Sequence, residues 1–313
     1  MSESPRFPWW QPQIGAEEHR LVKDVLEGGF LNDGELTTRF ETELASALGV
    51  RYVVGVSSGT AALFLSLASL GVGPGDEVIV PDMTFIATAN AVTLAGATPM
   101  LVDVDPRTLT LDPAAVARAV TPRTKAVIPV HVSGRAADMN ALLDLAQTRG
   151  LHVVEDAAEA FLSKRQGRCL GTWGRLGCFS FSPAKIITMG QGGAVVTDDE
   201  ALHMRLRELK DQGRPLRGTG GDDVHASVGF NFKLTNLQAA VGLGQLSSIQ
   251  RRLATMRRTY EAYRDGLKDV RGMRLFGFSL ETGESPQWID AWCEDRDGLV
   301  EHLRARGAEC RKF

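Results

Sequence analysis

Three short runs carry groups able to do chemistry or gather a ligand. The first is SSGTAAL, residues 57–63. An apolar strand running into Ser-Gly-Thr and then a small-residue helix turns backbone N–H groups, hydroxyls and the positive helix end toward one point, as a phosphate requires. Ser58 as a plain N-cap and Gly59 as a turn residue is the competing reading of the same run. The second run is VVEDAAEA, residues 153–160, in which Asp156 follows an apolar strand. A carboxylate at the end of a buried strand is costly unless a cation or donor meets it; a protonated pyridine nitrogen would do so, and so would a local cap. The third run, CFSFSPAKIITMGQGGAVVTDD, holds Lys185 in a Gly- and Pro-punctuated loop between two strands, five residues after Ser180. A lysine held near a sheet forms an imine with an aldehyde if its amine is kept partly deprotonated, although most lysines are only solvated surface charges.

Taken in order, a phosphate cradle, an acid at a strand end and a lysine 29 residues after it are what a pyridoxal phosphate (PLP) site needs from one sheet. The lysine supplies a Schiff base and the aspartate faces the ring nitrogen.

The elements that must position these groups are legible as alternating patterns. RYVVGV, DEVIVP, TPMLVDV, TKAVIPV, LHVVEDA, GCFSFS and GGAVVTD read as strands, and 60–70, 84–95, 138–149 and 199–211 as helices. That alternation predicts an α/β fold with a mostly parallel, buried sheet flanked by helices, its ligand lying beyond the C-terminal strand ends. Before it, Glu17 to Leu26 and Glu35 to Leu48 have helical spacing, the second stopping at Gly49. After it comes a Gly-rich stretch, Arg214 to Gly229, and then Leu234 to Leu267 as one long helix or two consecutive ones. MRLFGFSL, QWIDAWCE, DGLVEHLRAR and AECRKF suggest a closing strand, strand, helix, strand unit. The expected organisation is an N-terminal helical lobe (1–50), a large α/β domain (51–233), a connecting helix (234–267) and a small α+β domain (268–313).

The 313 residues are 43% hydrophobic and 23% charged, which gives enough apolar chain for one large core and a satellite domain. A net charge of −3 with no Lys/Arg block argues against nucleic acid and anionic membranes, and points to a small-molecule partner. The start, MSESPRFPWWQPQ, has no basic stretch leading into an apolar run, and no segment reaches about 18 uninterrupted apolar residues. A cytoplasmic protein is expected. Four cysteines, irregularly spaced, suit neither a disulfide scaffold nor a zinc site, so no metal is expected.

Nearly end to end, from FPWWQPQIGAEE to RARGAEC, the chain resembles the DegT/DnrJ/StrS family of nucleotide-sugar aminotransferases, which share the aspartate-aminotransferase-type (type I) PLP fold. SSGTAAL, PDMTFIATANAV, PVHVSGRAADM, VVEDAAEA, FSFSPAK, GQGGAVVTDD and GFNFKLTNLQAA occur in family order. The resemblance implies that Lys185 bonds the cofactor aldehyde and that Asp156 pairs with the ring nitrogen. It implies too that Gly59, Thr60 and Ser180, beside Ser58, bind the phosphate and that Phe85 stacks on the ring. Asn231 resembles a residue that reaches the phosphate from a neighbouring subunit, so a homodimer with shared sites is implied. Glutamate is the implied amino donor and a nucleotide-linked keto sugar, 4-keto-6-deoxy in type, the implied acceptor, in polysaccharide, O-antigen or secondary-metabolite sugar biosynthesis. A related PLP sugar dehydratase is the nearest alternative, but in those relatives a histidine replaces the lysine. A truncated, non-turning-over binding relative is the alternative of another class.

Some positions depart from the family. Glu159 stands where a Gln usually lies near the cofactor's phenolic oxygen; a second anion there is repelled unless protonated or paired, and cofactor, substrate and solvent are all open to it. Lys233 replaces a frequent Arg and offers a donor carboxylate a point charge rather than a fork. His131, at a strand end, is a substrate candidate set against the commoner role of a hydrogen-bonded structural histidine. Trp9 and Trp10 suit packing of the N-terminal lobe better than a substrate or dimer surface. Relatives usually continue for about 50 or more residues past the point matching Phe313, so the small domain is expected to be incomplete.

Overall fold

In a computed structural model that describes residues 6–215 and 224–312, the elements run α1 (Ala16–Gly28), α2 (Glu35–Leu48), β1 (Tyr52–Val56), α3 (Gly59–Ser69), β2 (Glu77–Pro81), α4 (Ala87–Leu94), β3 (Thr98–Val102), α5 (Pro113–Ala119), β4 (Thr124–Val127), α6 (Met139–Arg149), β5 (His152–Asp156), β6 (Lys164–Arg165), β7 (Arg168–Cys169), β8 (Leu176–Ser180), β9 (Gly193–Thr197), α7 (Glu200–Lys210), α8 (Asn236–Ser247), α9 (Ile249–Leu267), β10 (Met273–Leu275), β11 (Ala291–Cys293) and α10 (Arg296–Ala305). Seven strands form one sheet in the order β1-β9-β8-β5-β4-β2-β3. All seven runs read as strands take their place in it. β3, β2, β4, β5 and β8 pair in parallel, while β9 lies antiparallel between β8 and β1. Fully buried positions on β2, β5 and β9 explain the near-continuous β-branched runs, since both faces are covered.

One face carries α1, α2 and α8 over a core that includes Phe40, Leu44, Phe179, Phe181 and Leu243. α3 and α7 cover the other face over Val54, Val78, Leu65 and Leu206. The stretch read as one helix or two is two, α8 and α9, meeting at Ser248. α3 begins on schedule, with Ser58 as N-cap accepting from the Ala61 amide (3.1 Å). α4 starts three residues later than its spacing predicts, because Thr84, Phe85 and Ile86 form the turn entering it.

The closing region departs most from expectation. β10 and β11 are only three residues each. Past β10 the chain turns Phe276 and Phe278 onto the buried Arg135 guanidinium (5.6 and 5.0 Å), which ends the strand read through MRLFGFSL. AECRKF forms no strand among its described residues; its backbone makes a single bridge, Ala308 to Phe7, and one bridge makes no ladder. Residues 216–223 of the Gly-rich stretch, and Phe313, lie outside the described residues. Also unread in the sequence were α5 and the two-residue pair β6–β7.

The N-terminal helices are tied to the sheet by buried charge as well as by apolar packing. Lys210 Nζ, at the end of α7, reaches Asp33 Oδ2 (3.1 Å), Glu41 Oε1 (3.4 Å) and the carbonyl of Gly55 (3.0 Å), and is 2% exposed. Glu41 also accepts from the Gly55 amide (2.8 Å), just before the phosphate-type turn. Truncating one partner of such a group leaves the others charged and dry. Lys210→Met is therefore expected to lower unfolding free energy by about 3 kcal/mol, measured by urea denaturation.

Candidate active site

The C-terminal ends of β1, β5 and β8 lie at the same end of the sheet, and the three motif runs lie there with them. At the first, helix α3 presses closely on β8 and β9. A Cβ added at Gly59 would lie 2.8 Å from Ser180 Cβ, and one added at Gly193 would lie 2.4 Å from the Ser58 carbonyl oxygen. These two glycines are what allow the helix start and Ser180 to share a cradle. The amides of Gly59 and Thr60, at the first two helical positions, have no intrahelical carbonyl to bond. Ser58, Gly59, Thr60 and Ser180 are all partly open to solvent. Ser58 is the N-cap that its competing reading suggested, yet its hydroxyl accepts the Ala61 amide and keeps its proton to donate.

Asp156 ends β5 and is 5% exposed. Its Oδ2 accepts from Thr88 Oγ1 (2.8 Å) and its Oδ1 from the Ala158 amide (3.1 Å). Burial raises its carboxyl above the ordinary carboxylate value, against the opposing pull of Thr88, the Ala158 amide and the Lys185 charge. A further cationic N–H donor at this carboxylate would offset that burial, and a pyridinium nitrogen is such a donor.

Lys185 lies on the loop after β8 and is 14% exposed at its side chain. Its Nζ donates to Glu159 Oε1 (3.0 Å), while Glu159 Oε2 accepts the Ser133 amide (3.0 Å). Burial alone would raise Glu159, but the Lys185 ammonium, the Ser133 amide and the Trp288 indole together hold it below the usual carboxylate range. The second anion is therefore tolerated because it is paired. Cradle, buried acid and half-buried lysine fit PLP in donor chemistry and in order: donors for a phosphate, an acceptor for a ring nitrogen, an amine for an aldehyde.

The remaining candidates fall into two groups. Phe85 is 65% exposed on the turn before α4, a phenyl face with nothing of this chain over most of it, and Asn231 is likewise exposed, bridged to Asp211. Lys233 Nζ is held by Asp211 Oδ1 (2.5 Å), so a donor carboxylate would have to compete for its charge. His131 is a correction. It has no exposed surface, its Nε2 bonds Glu155 Oε2 (2.8 Å) and its Nδ1 accepts the Ala137 amide (3.2 Å), the arrangement of the hydrogen-bonded structural histidine rather than of a substrate-facing one. Trp9 packs at a tilt against Trp288 (5.1 Å) and edge-on to Trp10 (6.2 Å), as packing residues do. Thr88, Ser133 and Trp288 went unnoticed in the sequence. Thr88 lies within the run PDMTFIATANAV, where the sequence singles out only Phe85.

The sequence profile of the DegT/DnrJ/EryC1/StrS aminotransferase family matches residues 12–313. The chain is 38% identical over 318 residues to a GDP-perosamine synthase of Caulobacter vibrioides, covering 99% of this chain and 85% of that one. It is 43% identical over 251 residues to the spore coat polysaccharide biosynthesis protein SpsC of Bacillus subtilis, covering 78% and 64%. Among solved structures, DesV of S. venezuelae in complex with a ketimine intermediate superposes with a TM-score of 0.89 at 39% identity, covering 98% of this chain and 83% of DesV.

The raised carboxyl of Asp156 has a consequence for the cofactor-free protein. A carboxyl whose pKa is higher folded than unfolded holds its proton longer in the folded state, so its contribution to stability falls as pH rises from the ordinary value of 3.8 through the raised one. Asp156→Asn is expected to be more stable than wild type at neutral pH in urea titrations without cofactor, the gap closing as pH falls toward 3.8. A gap that widens on acidification would contradict this account.

Proposed function

The chain belongs to the DegT/DnrJ/EryC1/StrS aminotransferase family and is a PLP-dependent transaminase of nucleotide-sugar type; from that premise we propose that it moves an amino group from glutamate to the keto carbon of a nucleotide-linked 4-keto-6-deoxy sugar. The observation that carries the proposal is the meeting of Lys185 and Asp156 at one end of the sheet, with Glu159 bonded to the lysine amine. Likeness to a GDP-perosamine synthase supports a nucleotide-linked acceptor, and likeness to SpsC supports a role in polysaccharide synthesis.

Bound PLP supplies an aldehyde that takes up amino groups and a ring that accepts electrons from the adjoining carbon. Lys185 would carry a proton to and from the substrate carbon as general base and acid, its free amine within bonding distance of Glu159. Asp156, dry and accepting two donors, keeps the ring nitrogen protonated. The Gly59 and Thr60 amides with the Ser58 and Ser180 hydroxyls would hold the phosphate, and Phe85 would pack on the ring. Lys233, whose backbone bridges Val56 just before the cradle, would supply a point charge for a donor carboxylate, at the cost of its bond to Asp211.

The exposure of Phe85 and Asn231 supports a homodimer in which a second copy covers the first and supplies the second to the phosphate. No described helix is long and apolar enough to cross a membrane, and all four cysteines are free, which supports a cytoplasmic setting.

An absorbance spectrum of the purified protein with PLP tests this first. A visible band that moves on adding glutamate and returns on adding the keto sugar nucleotide is expected. Lys185→Ala is expected to keep the fold by circular dichroism and lose transamination entirely; turnover at the wild-type rate would overturn the assignment of the lysine.

A further inference from the structure

The acid that would face the ring nitrogen is held by a hydroxyl pair from the run PDMTFIATANAV, in which the resemblance gives a role only to Phe85. Thr88 lies in the first turn of α4, has no exposed surface, and donates to Asp156 Oδ2 at 2.8 Å. Thr84 Oγ1 is 2.8 Å from Thr88 Oγ1. A hydroxyl has one proton, so if that of Thr88 goes to the carboxylate, Thr84 must be the donor in the second bond. The chain of donation therefore runs Thr84 to Thr88 to Asp156. Between the two threonines in sequence sits Phe85, on the same turn.

We propose that Thr84 and Thr88 are positioning residues for Asp156: their aligned hydroxyls hold the carboxylate ionised and turned toward the cofactor ring, from the same turn that presents Phe85. The inference rests on the PLP reading above. A neutral donor adds no charge of its own to the site, so it favours the carboxylate without repelling a protonated ring as a lysine or arginine there would. Other groups act on Asp156 as well. Lys185 from the loop after β8 favours its charge, Glu159 from the loop after β5 opposes it, and Cys178 lies beside it on β8 with its thiol pushed up by burial. Thr88 differs from these in bonding the carboxylate oxygen directly through its side chain.

The test compares Thr88→Val, Thr88→Ser and Thr84→Val with wild type by PLP affinity as a function of pH, with thermal melting of the cofactor-free proteins alongside. Valine keeps the shape and removes the hydroxyl; serine restores the hydroxyl and removes the methyl. Thr88→Val is expected to bind PLP about tenfold to a hundredfold more weakly, the scale of a hydrogen bond to a charged group. Its low-pH loss of binding should begin at higher pH than in wild type, because a carboxyl without its donor keeps its proton longer. Thr88→Ser should recover most of the affinity and the wild-type pH profile. Thr84→Val should move both readouts in the same direction by less, and it keeps the proposal testable if Thr88→Val does not fold. Wild-type affinity and pH profile in every valine variant that folds, or equal losses in Thr88→Val and Thr88→Ser, would overturn the proposal. If the wild-type protein binds no PLP, or Asp156→Asn binds it as well as wild type, the cofactor reading itself fails instead.

Discussion

Glu155 and Asp156 stand side by side at the end of β5, both buried, and as neighbours on a strand they project to opposite faces. Two anions in that position are tolerable only if each meets donors, and the two are met in different ways. Glu155 is closed off, with Oε2 accepting the Gly171 amide (2.8 Å) and His131 Nε2 (2.8 Å), and Oε1 accepting the Gly174 amide (2.6 Å). Asp156 has one donor on each oxygen. A carboxylate with two lone-pair sites per oxygen retains capacity after one bond to each, so the second acid remains able to accept from a ligand.

Much of the surrounding geometry depends on this division. Glu155 fixes His131, and His131 receives the Ala137 amide, so the loop 131–137 is folded tightly over the strand end. Within that loop Ser133 takes a left-handed backbone (φ 56°), a conformation few side chains adopt without support, and its amide meets Glu159. Gly134 (φ 100°) lies so close to the chain near Ser285 that a Cβ would come within 2.0 Å of its carbonyl. Glu159 and hence the lysine amine are therefore aligned through a chain of contacts that begins at a carboxylate on the far face of the strand.

How far the sequence reveals this follows from what each signal measures. β-branched runs report burial on both faces, and all seven such runs are strands of the sheet. Lys185, Asp156 and the Ser58–Thr60 turn were legible because each is a polar or flexible group set against apolar sequence. His131 left a substrate and a structural role open because position at a strand end does not say to which face the following loop returns; here it returns onto Glu155. Glu159 was legible as a departure, but its partners come from 26 residues away in each direction, Ser133 and Lys185, and no local pattern contains both. Thr88 is an ordinary residue type for a helix start, and only the approach of α4 to β5 makes it special. The closing region was read with too much strand because its apolar residues, Phe276 and Phe278, are spent on Arg135 rather than on a ladder.

The antiparallel pairing of β8 and β9 has a kinetic meaning. Lys185 rides on a loop whose two ends, Ser180 and Gly193, are partners in the same ladder, and whose flanks are stitched again by Phe181 to Gly192 and Met189 to Phe181 (2.9 Å each). Ile187 and Met189 anchor it further in the core. The amine thus searches only the arc of its own flexible stem, and well-oriented tethered groups act as though present at about 10⁵ M or more. A loop tied at both ends and across its middle keeps its one basic group pointing the same way whatever that group bonds, so a ligand carbonyl would meet the amine where Glu159 now holds it.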